Sequence, residues 1–365
     1  MHLVRFTCDG FRSLRAIAFD PAPGVNLIAG DNAQGKTSLL EAILFAATAR
    51  SHRTYAETEL VSTGADFFQI RADAQRSGRE VAIDARWYQG VKRFRVNGVL
   101  QARISDVLGK LCVVLFSPED IALIKGTAAH RRKFLDMELS QVSPRYLAAL
   151  QHYRQALRQR NEILRMPNPE PALLDAWDAQ LVQYGSALVQ ERVAFIARLS
   201  HHAATAYRSI AAGESMSLAY EPDVATGDDF GKVLAKTRAV DIRRRATTRG
   251  PHRDDLDFRV QEQSARSFAS QGQQKTAALA VRLAELELVK ERTGEYPILM
   301  LDEVFSELDE HRSRQLIEAL DPAVQCLLTA TAANYRACAR DLRQRAFLNR
   351  DHAVFRIARG ELEKE

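Results

Sequence analysis

The sequence has 365 residues, of which 46% are hydrophobic and 27% are charged, and its formal net charge at pH 7 is +5. Its longest apolar runs, residues 42–49 and 111–116, are far shorter than the roughly 20 residues that a membrane-spanning helix needs, which argues against a membrane protein. The basic balance permits a nucleic-acid partner without requiring one.

The first residues contain charges but no apolar core of a signal peptide. The four cysteines, Cys8, Cys112, Cys326 and Cys338, are scattered and form no CxxC pair. We therefore expect reduced thiols and a cytoplasmic protein, with neither a disulfide framework nor a zinc site.

The N-terminal region predicts strands around a phosphate-binding loop. Short strands are expected at 3–8 and 14–19, on either side of a turn at Asp9-Gly10, and the apolar stretch VNLIA (25–29) predicts a buried strand. A helix is expected from Thr37, because apolar residues then recur at helical spacing.

The stretch between this strand and this helix reads GDNAQGKT and matches the GxxxxGK[ST] pattern. Its glycines let backbone N–H groups turn toward phosphate oxygens, Lys36 reaches the β- and γ-phosphates, and the Thr37 hydroxyl ligates Mg²⁺. The alternative is a glycine turn without a ligand. The predicted ATP-binding residues here are Gly30, Asp31, Asn32, Ala33, Gln34, Gly35, Lys36 and Thr37.

The next segments predict a small sheet and then a helical insertion. Residues 67–98 alternate with period two around Gly78 and Gly90, which indicates an antiparallel sheet, and 111–116 predicts a further buried strand. From 128 to 212 apolar residues recur every three or four positions, interrupted by MPNPEP, which predicts two long antiparallel helices forming a short arm. Strand-like and loop segments are expected to return over 217–260.

A second anion site is predicted at the start of a helix over about 272–292, in the stretch SQGQQK. The first N–H groups of a helix are unpaired and its dipole is positive there. We therefore take Ser270, Gly272 and Gln273 as ATP-binding residues. The alternative is a simple helix cap made by Ser270.

Residues 298–303, ILMLDE, predict a buried strand that ends in two carboxylates. Nucleotide sites of phosphate-loop sheets lie at this carboxyl edge. Asp302 would hold Mg²⁺ through water, and Glu303 would orient or deprotonate the attacking water. With Lys36, these two residues are the predicted catalytic set, and Thr37 and Asp302 are the predicted metal ligands.

The spacing of these motifs is typical of ATPases of the ABC class. Asp302 lies 266 residues after Lys36 (302 − 36), which leaves room for an inserted arm, and Ser270 precedes Asp302 by 32 residues, the place of the ABC signature sequence. In that class the signature caps the γ-phosphate held by a second copy. SELD (306–309) resembles the loop that crosses the dimer interface, although an ordinary acidic turn is the alternative.

Together these stretches resemble the RecF family, whose SMC and Rad50 relatives carry far longer arms. The resemblance covers essentially the whole chain, in the order GDNAQGKTSLLEAI, ATARSHRT (47–54), LFSPEDIALIKG (115–126), RRKFLD (131–136), GPHRDD (250–255), SQGQQK and LDEVFSELD (301–309). It implies that Lys36, Thr37, Asp302, Glu303 and Ser270 take the family's roles.

The resemblance also implies a function. It indicates a slow, DNA-stimulated ATPase that uses ATP and Mg²⁺, forms an ATP-dependent homodimer and binds gapped, single-stranded or duplex DNA. It implies RecR and RecO as partners in loading RecA during gap repair, replication restart and SOS induction.

Two departures from the ABC pattern stand out. The position after the last core strand, where many such ATPases have a histidine, reads TAT (329–331). The place of the usual glutamine is taken by SPED (117–120). Both groups normally sense the γ-phosphate, so their absence fits slow turnover.

Basic clusters are candidate contacts to DNA phosphates because of their number, although each cluster alone is more typical of a solvated helix face. In GPHRDD, His252 and Arg253 could reach nucleotide, DNA or a partner, and a salt bridge between Arg253 and the following aspartates is the alternative. The predicted DNA-binding residues are Arg131, Arg132, Lys133, Arg243, Arg244 and Arg245, together with the arm arginines Arg154, Arg158 and Arg160.

The predicted fold is therefore α/β. It consists of an ABC-type ATPase head, a mixed sheet with an antiparallel subdomain, built from 1–127 and 213–365, and a short helical arm over 128–212. The alternative function is the ATPase subunit of a membrane transporter, which shares the same ATP motifs. The 85-residue helical insertion argues against it. A nuclease-linked ATPase lacks support, because no separate acidic metal-binding domain is evident.

Overall fold

The computed structural model describes residues 1–54, 56–211, 213–226, 228–307, 312, 315, 316, 320–331 and 351–365. Two six-stranded sheets and a three-stranded sheet are arranged with helices around them. The predicted α/β class with an antiparallel subdomain is confirmed. Cys8, Cys112 and Cys326 are buried, and Cys338 lies outside the described residues.

The first six-stranded sheet is antiparallel and confirms the alternation seen over 67–98. Its strand order is β2-β1-β4-β5-β6-β7, and its inward residues pack on the first helix. Many of the outward residues are polar or charged, as expected where one face of a sheet meets solvent, although Tyr88, Val91 and Leu100 are also exposed there. The strands are β1 (His2–Asp9), β2 (Ile17–Phe19), β4 (Phe67–Arg76), β5 (Arg79–Tyr88), β6 (Val91–Val96) and β7 (Val99–Leu100).

The second six-stranded sheet is mainly parallel and carries the nucleotide motifs. Its order is β15-β14-β3-β13-β12-β8, with only β15 antiparallel to its neighbour. Four of its strands are buried along their whole length, because both faces are covered by other elements. The strands are β3 (Val25–Ala29), β8 (Val113–Phe116), β12 (Ile298–Leu301), β13 (Cys326–Ala330), β14 (His352–Ala358) and β15 (Glu361–Lys364).

The two faces of this parallel sheet contribute side chains to two separate hydrophobic cores. Ile28 and Met300 point into the cluster that includes the antiparallel sheet. Leu27 and Leu301 point into the cluster that includes the long helices. A small third sheet, ordered β11-β10-β9, borders the second cluster; its strands are β9 (Met216–Glu221), β10 (Asp255–Val260) and β11 (Gln263–Ser264).

Eight α-helices complete the described part of the chain. None of the described helices is long and apolar enough to span a bilayer. The helices are α1 (Lys36–Thr48), α2 (Ile121–Lys125), α3 (Ala128–Val142), α4 (Pro144–Leu164), α5 (Pro171–Ile210), α6 (Asp228–Arg244), α7 (Gln271–Thr293) and α8 (Val304–Glu307).

Helices α4 and α5 form the predicted antiparallel pair, with MPNPEP in the turn between them. Tyr146 near the start of α4 contacts Arg192 well along α5, whereas Arg160 near the end of α4 contacts Asp178 near the start of α5. Beyond this pair, α5 packs along α7, where Arg292 lies 3.7 Å from Glu191. The longest helix of the arm therefore continues into the head.

The prediction of only strands and loops over 217–260 was wrong at α6. This helix buries Phe230 and Leu234 in the large core. Gly185 of α5 makes room for it, since a Cβ there would lie 2.7 Å from the Phe230 ring. The sequence of α6 is mostly polar and charged, and its apolar residues form a single narrow stripe. Packing of that stripe against the core stabilises the helix.

Candidate nucleotide-binding site

The phosphate loop joins β3 to α1, so its predicted strand-loop-helix context is confirmed. Gly35 has a φ of 110° and Ala33 a φ of 63°, both in the left-handed region. A Cβ at Gly30 would lie 2.4 Å from the carbonyl oxygen of Ile357, and one at Gly35 would lie 2.9 Å from Leu14 Cδ2. Packing thus requires glycine at Gly30, and the left-handed backbone conformation favours it at Gly35.

The middle of the loop is open to solvent. Asp31, Asn32 and Ala33 are exposed. Gln34 instead anchors the loop, because its Oε1 accepts a 2.6 Å hydrogen bond from the Arg359 backbone and its carbonyl accepts one from Gly360. The backbone at Arg359 and Gly360 therefore holds the phosphate loop on one side, while its other side is exposed to solvent.

The Lys36 side chain lies inside the loop and is only 3% exposed. Its Nζ donates to the carbonyl oxygens of Gly30 at 2.9 Å and Asp31 at 3.0 Å. It also lies 3.2 Å from Glu303 Oε1. The buried ammonium is thus compensated by a carboxylate, as buried charges require.

Asp302 directly follows β12, and its carboxylate accepts hydrogen bonds from two threonines that are far apart in the sequence. The Thr37 hydroxyl donates to Oδ2 of Asp302 at 2.7 Å, and the Thr329 hydroxyl donates to Oδ1 at 2.7 Å. Thr329 Oγ1 also accepts a 2.8 Å hydrogen bond from the Glu303 N–H. Sequence analysis missed Thr329; its signal was a single hydroxyl within the buried apolar strand β13.

Glu303 sits on strained backbone with a φ of 48°, which is uncommon for a residue with a Cβ. Its carboxylate is 30% exposed, in contrast to the buried Asp302. The hydrogen bond to Thr329 holds this conformation. The strain directs the carboxylate toward the phosphate loop and leaves it open to solvent.

The charge around Asp302 fits a divalent cation. Burial raises the pKa of the Asp302 carboxyl, the hydroxyls of Thr329 and Thr37 lower it, and the nearby Glu303 and Glu119 raise it. A cation would neutralise these carboxylates, and a hydroxyl plus one carboxylate is the small donor set that Mg²⁺ takes beside phosphates and water. No group of three His, Cys, Asp or Glu side chains in the described ranges forms a metal cage of its own.

Two further groups missed by sequence analysis border the site. Glu119, which is exposed in the SPED segment, raises the pKa of Asp302 through its negative charge. Its neighbour Asp120 forms an ion pair with Arg282 at 2.6 Å. Both ring nitrogens of His52 are buried and have no hydrogen-bond partner within the described part of the chain. Burial lowers the pKa of His52, and the surrounding acids, including Glu119 and Asp302, oppose that shift.

Ser270, Gly272 and Gln273 lie at the N-terminus of α7, and within the described residues none of them forms a hydrogen bond or ion pair with the phosphate loop of the same chain. Ser270 Oγ accepts from the Gln273 N–H at 3.2 Å, and Gln273 Oε1 accepts from the Ser270 N–H at 2.8 Å, a capping box. Ser270 is exposed. Of the predicted interface loop SELD, Ser306 and Glu307 belong to α8, and Leu308 and Asp309 lie outside the described residues.

The GPHRDD loop is tied into the arm. Tyr153 Oη lies 2.7 Å from His252 Nδ1, and burial lowers the His252 pKa to about 4. Asp254 pairs with the buried Arg192 at 2.6 Å. The alternative of a salt bridge between Arg253 and the aspartates is not supported, since the aspartates pair with other arginines and Arg253 is exposed.

The candidate DNA-binding residues divide by exposure. Arg131 is buried and pairs with Asp255 at 2.5 Å, and Arg160 is fully buried between Asp178 and Asp241, so neither is available for a phosphate. Burial argues against these two predictions, because a basic cluster in the sequence does not reveal a buried acidic partner. Exposed positions are Arg243, Arg244 and Arg245 at the end of α6.

Arg132 and Lys133 line a cavity of about 540 Å³ between the head and the arm. Six Lys or Arg side chains and two acidic ones border it, which leaves a positive cleft. Burial, with nearby Arg192 and Arg253, lowers the pKa of Arg132, although Asp255 opposes this shift. The cationic lining comprises Arg50, Lys92, Arg132, Lys133, Arg154 and Arg192.

Comparison with protein families and curated sequences gives a consistent result. Residues 2–344 match the model described as RecF/RecN/SMC N terminal domain. The DNA replication and repair protein RecF of Symbiobacterium thermophilum is 40% identical over 373 residues, which cover 99% of this chain and 97% of that protein. The RecF of Lactobacillus johnsonii is also 40% identical, over 346 residues covering 91% and 92%.

Solved structures agree with the sequence matches. The recombination mediator protein RecF bound to ATP, described within the RecFOR pathway, superimposes with a TM-score of 0.89 at 31% identity, covering 100% of this chain and 97% of that one. The Smc head domain from Pyrococcus furiosus superimposes with a TM-score of 0.58 at 16% identity, covering 100% and 96%, which shows a shared ATPase-head fold alone.

Proposed function

Because the chain belongs to the RecF family, we propose that it is an ATP-dependent DNA-binding protein of replication and repair. The observation that carries this proposal is the convergence of Lys36, Thr37, Asp302 and Glu303, joined by Thr329, at the carboxyl edge of the parallel sheet. The ATP-bound relative at 31% identity supports ATP as the nucleotide.

In the proposed reaction Lys36 binds the β- and γ-phosphates, and Glu303 activates water. The contact between Lys36 and Glu303 suggests how these roles are coupled. A phosphate that binds the Lys36 ammonium competes with the Glu303 carboxylate, which is then free to accept a proton from the attacking water. Mg²⁺, held by Thr37 and Asp302, would neutralise charge on the phosphates during transfer.

A second copy of the chain is proposed to complete the site. Ser270, Gly272 and Gln273 lie at the start of α7, where Ser270 is exposed although the rest of the helix is largely buried. The free N–H groups of α7 are suited to the γ-phosphate bound by a partner copy. ATP would then join two heads, and hydrolysis would release them.

DNA is proposed to bind the positive cleft between head and arm. Arg132, Lys133 and Arg154 border this cleft, and Arg243 to Arg245 extend the basic surface elsewhere. Such contacts would be to phosphates, independent of sequence and sensitive to salt. The solved relatives are described within the RecFOR pathway, which supports RecR and RecO as partners. Binding to gapped DNA, RecA loading and SOS induction are part of the proposal because the resemblance to the RecF family implies them.

The test is ATP hydrolysis and ATP-dependent sedimentation of the wild type and of Lys36→Arg. We expect Lys36→Arg to lower the hydrolysis rate by at least about 100-fold, because the bulkier guanidinium does not fit the buried position at the loop carbonyls. Lys110→Arg, an exposed lysine outside the site, is the control. Unchanged hydrolysis by Lys36→Arg, or a wild type that sediments identically with and without ATP, would contradict the proposal.

A further inference from the structure

The outer face of the antiparallel sheet carries a defined pattern of arginine and apolar side chains. Strand register fixes its rows, because residues paired across strands share a face. We call this surface the arginine face. Its first row is Phe67, Tyr88 and Val91, its second is Gln69, Arg86 and Arg93, and its third is Arg71, Asp84, Arg95 and Leu100.

Three arginines of this face have no compensating partner. Arg86, Arg93 and Arg95 are exposed, and none makes an ion pair or side-chain hydrogen bond within the described ranges. Arg86 stands directly opposite Arg93, an arrangement that destabilises a sheet by like-charge repulsion. By contrast, the neighbouring Arg71 is paired with Asp73 and Asp84. The unpaired arginines therefore present concentrated positive charge that a bound carboxylate would offset.

Exposed apolar side chains adjoin these arginines. Tyr88 is 46% exposed, Val91 54% and Leu100 57%, all on the same face. Tyrosine and arginine around an exposed apolar patch are typical of protein–protein contact surfaces. A nucleic-acid backbone would satisfy the charge but not the aliphatic residues.

The face has a concave centre whose dimensions suit an extended peptide. A hollow of about 450 Å³ lies over the second and third rows. Successive rows are two residues apart along each strand, or about 7 Å. Alternate side chains of an extended peptide have the same spacing, so two carboxylates could meet the arginine rows while a third side chain meets the apolar row.

We propose that the arginine face binds an extended acidic segment of a partner protein, with alternate carboxylates on Arg86, Arg93 and Arg95 and an aromatic or aliphatic residue on Tyr88 and Val91. The interaction is independent of the ATP site and goes beyond the proposed function. It should occur equally with and without nucleotide.

The test measures binding of a fluorescent peptide, acetyl-Asp-Ser-Asp-Ser-Phe-Ser-amide, by fluorescence anisotropy at low salt. The full-length protein is compared with Arg93→Glu/Arg95→Glu and with Arg79→Glu/Lys110→Glu. The control pair changes net charge equally, on exposed residues outside the arginine face. We expect at least a tenfold loss of affinity for the first variant and less than a twofold change for the control. Replacing Phe by Ala in the peptide should also weaken binding.

Three outcomes would overturn the inference: no binding by the wild type, equal losses in both variants, or full affinity for the Ala peptide. The same proteins are also titrated with a fluorescent single-stranded oligonucleotide. If Arg93→Glu/Arg95→Glu loses oligonucleotide binding while its peptide binding is unchanged, the face binds nucleic acid and not an acidic peptide. ATP hydrolysis by Arg93→Glu/Arg95→Glu should equal that of the wild type. A failure here is therefore distinguishable from a failure of the proposed ATPase function.

Discussion

At the scale of single residues, Thr329 organises the carboxylates of the nucleotide site. Its one hydroxyl donates to Asp302 and accepts from the Glu303 N–H, so it fixes both the buried acid and the strained residue beside it. Burial raises the pKa of the Asp302 carboxyl, and the two hydroxyls that donate to it oppose this shift. Removing one donor should raise the Asp302 pKa further.

We therefore predict that Thr329→Val lowers ATP hydrolysis by at least about tenfold and destabilises the fold by about 1–3 kcal/mol, because a buried carboxylate loses a hydrogen bond. Steady-state hydrolysis and urea unfolding measure the two effects. Thr329→Ser keeps the hydroxyl and should remain within about threefold of the wild type. If Thr329→Val is fully active, Thr329 does not position the carboxylates.

At the scale of elements, the start of α7 shows how one serine could serve two roles. The capping box satisfies the N–H groups of Ser270 and Gln273 but not those of Gln271 and Gly272, and Ser270 is exposed to a partner. A substitution of Ser270 that preserves the N-cap is therefore needed to separate its role in the helix from its role in binding a partner's phosphate.

We predict that Ser270→Arg and Ser270→Asp both abolish ATP-dependent dimerisation while each monomer still binds ATP. Aspartate is a good N-cap, so it preserves the helix but repels a partner's phosphate. Sedimentation velocity with and without ATP gives the oligomeric state, and nucleotide titration gives the affinity. Ser105→Arg, on the short helical turn Ile104–Asp106, is the control. Normal dimerisation of Ser270→Asp would refute capping in trans.

Two other elements show what local sequence leaves open. The periodicity of α4 and α5 and the MPNPEP break predict a helix pair, and the pair forms. Helix α6 depends on a few apolar contacts with α5, including Phe230 against Gly185. Its polar composition alone does not indicate those contacts.

At the scale of the whole molecule, buried ion pairs connect the arm to the head. Arg192 of α5 contacts Asp136 of α3 and Asp254 of the GPHRDD loop. Arg160 joins α4 to α5 and α6 through Asp178 and Asp241. These ion pairs fix the helices that line the positive cleft. The basic side chains on the surface of the cleft are therefore attached to a rigid backbone.

We predict that Lys133→Gln/Arg154→Gln weakens binding of gapped DNA by about tenfold at low salt and reduces the slope of log K against log salt by roughly 2, since each phosphate contact contributes about 0.9. Titrations over a range of salt concentrations measure both quantities. Arg79→Gln/Lys110→Gln should leave the slope unchanged. Equal slopes for all three proteins would place DNA binding elsewhere.

The sequence by itself determined the phosphate loop, the strand that ends at Asp302, the antiparallel sheet and the α4–α5 pair, because each follows from local spacing and periodicity. The tertiary structure decided which charges are available: Arg131 and Arg160 are buried with acids more than 15 positions away, whereas Arg86, Arg93 and Arg95 have no acidic partner among the residues that the structure describes. It also decided that Thr329 joins Asp302, and that α6 is a helix. Partners distant in the chain produce these outcomes, and local pattern contains no information about them.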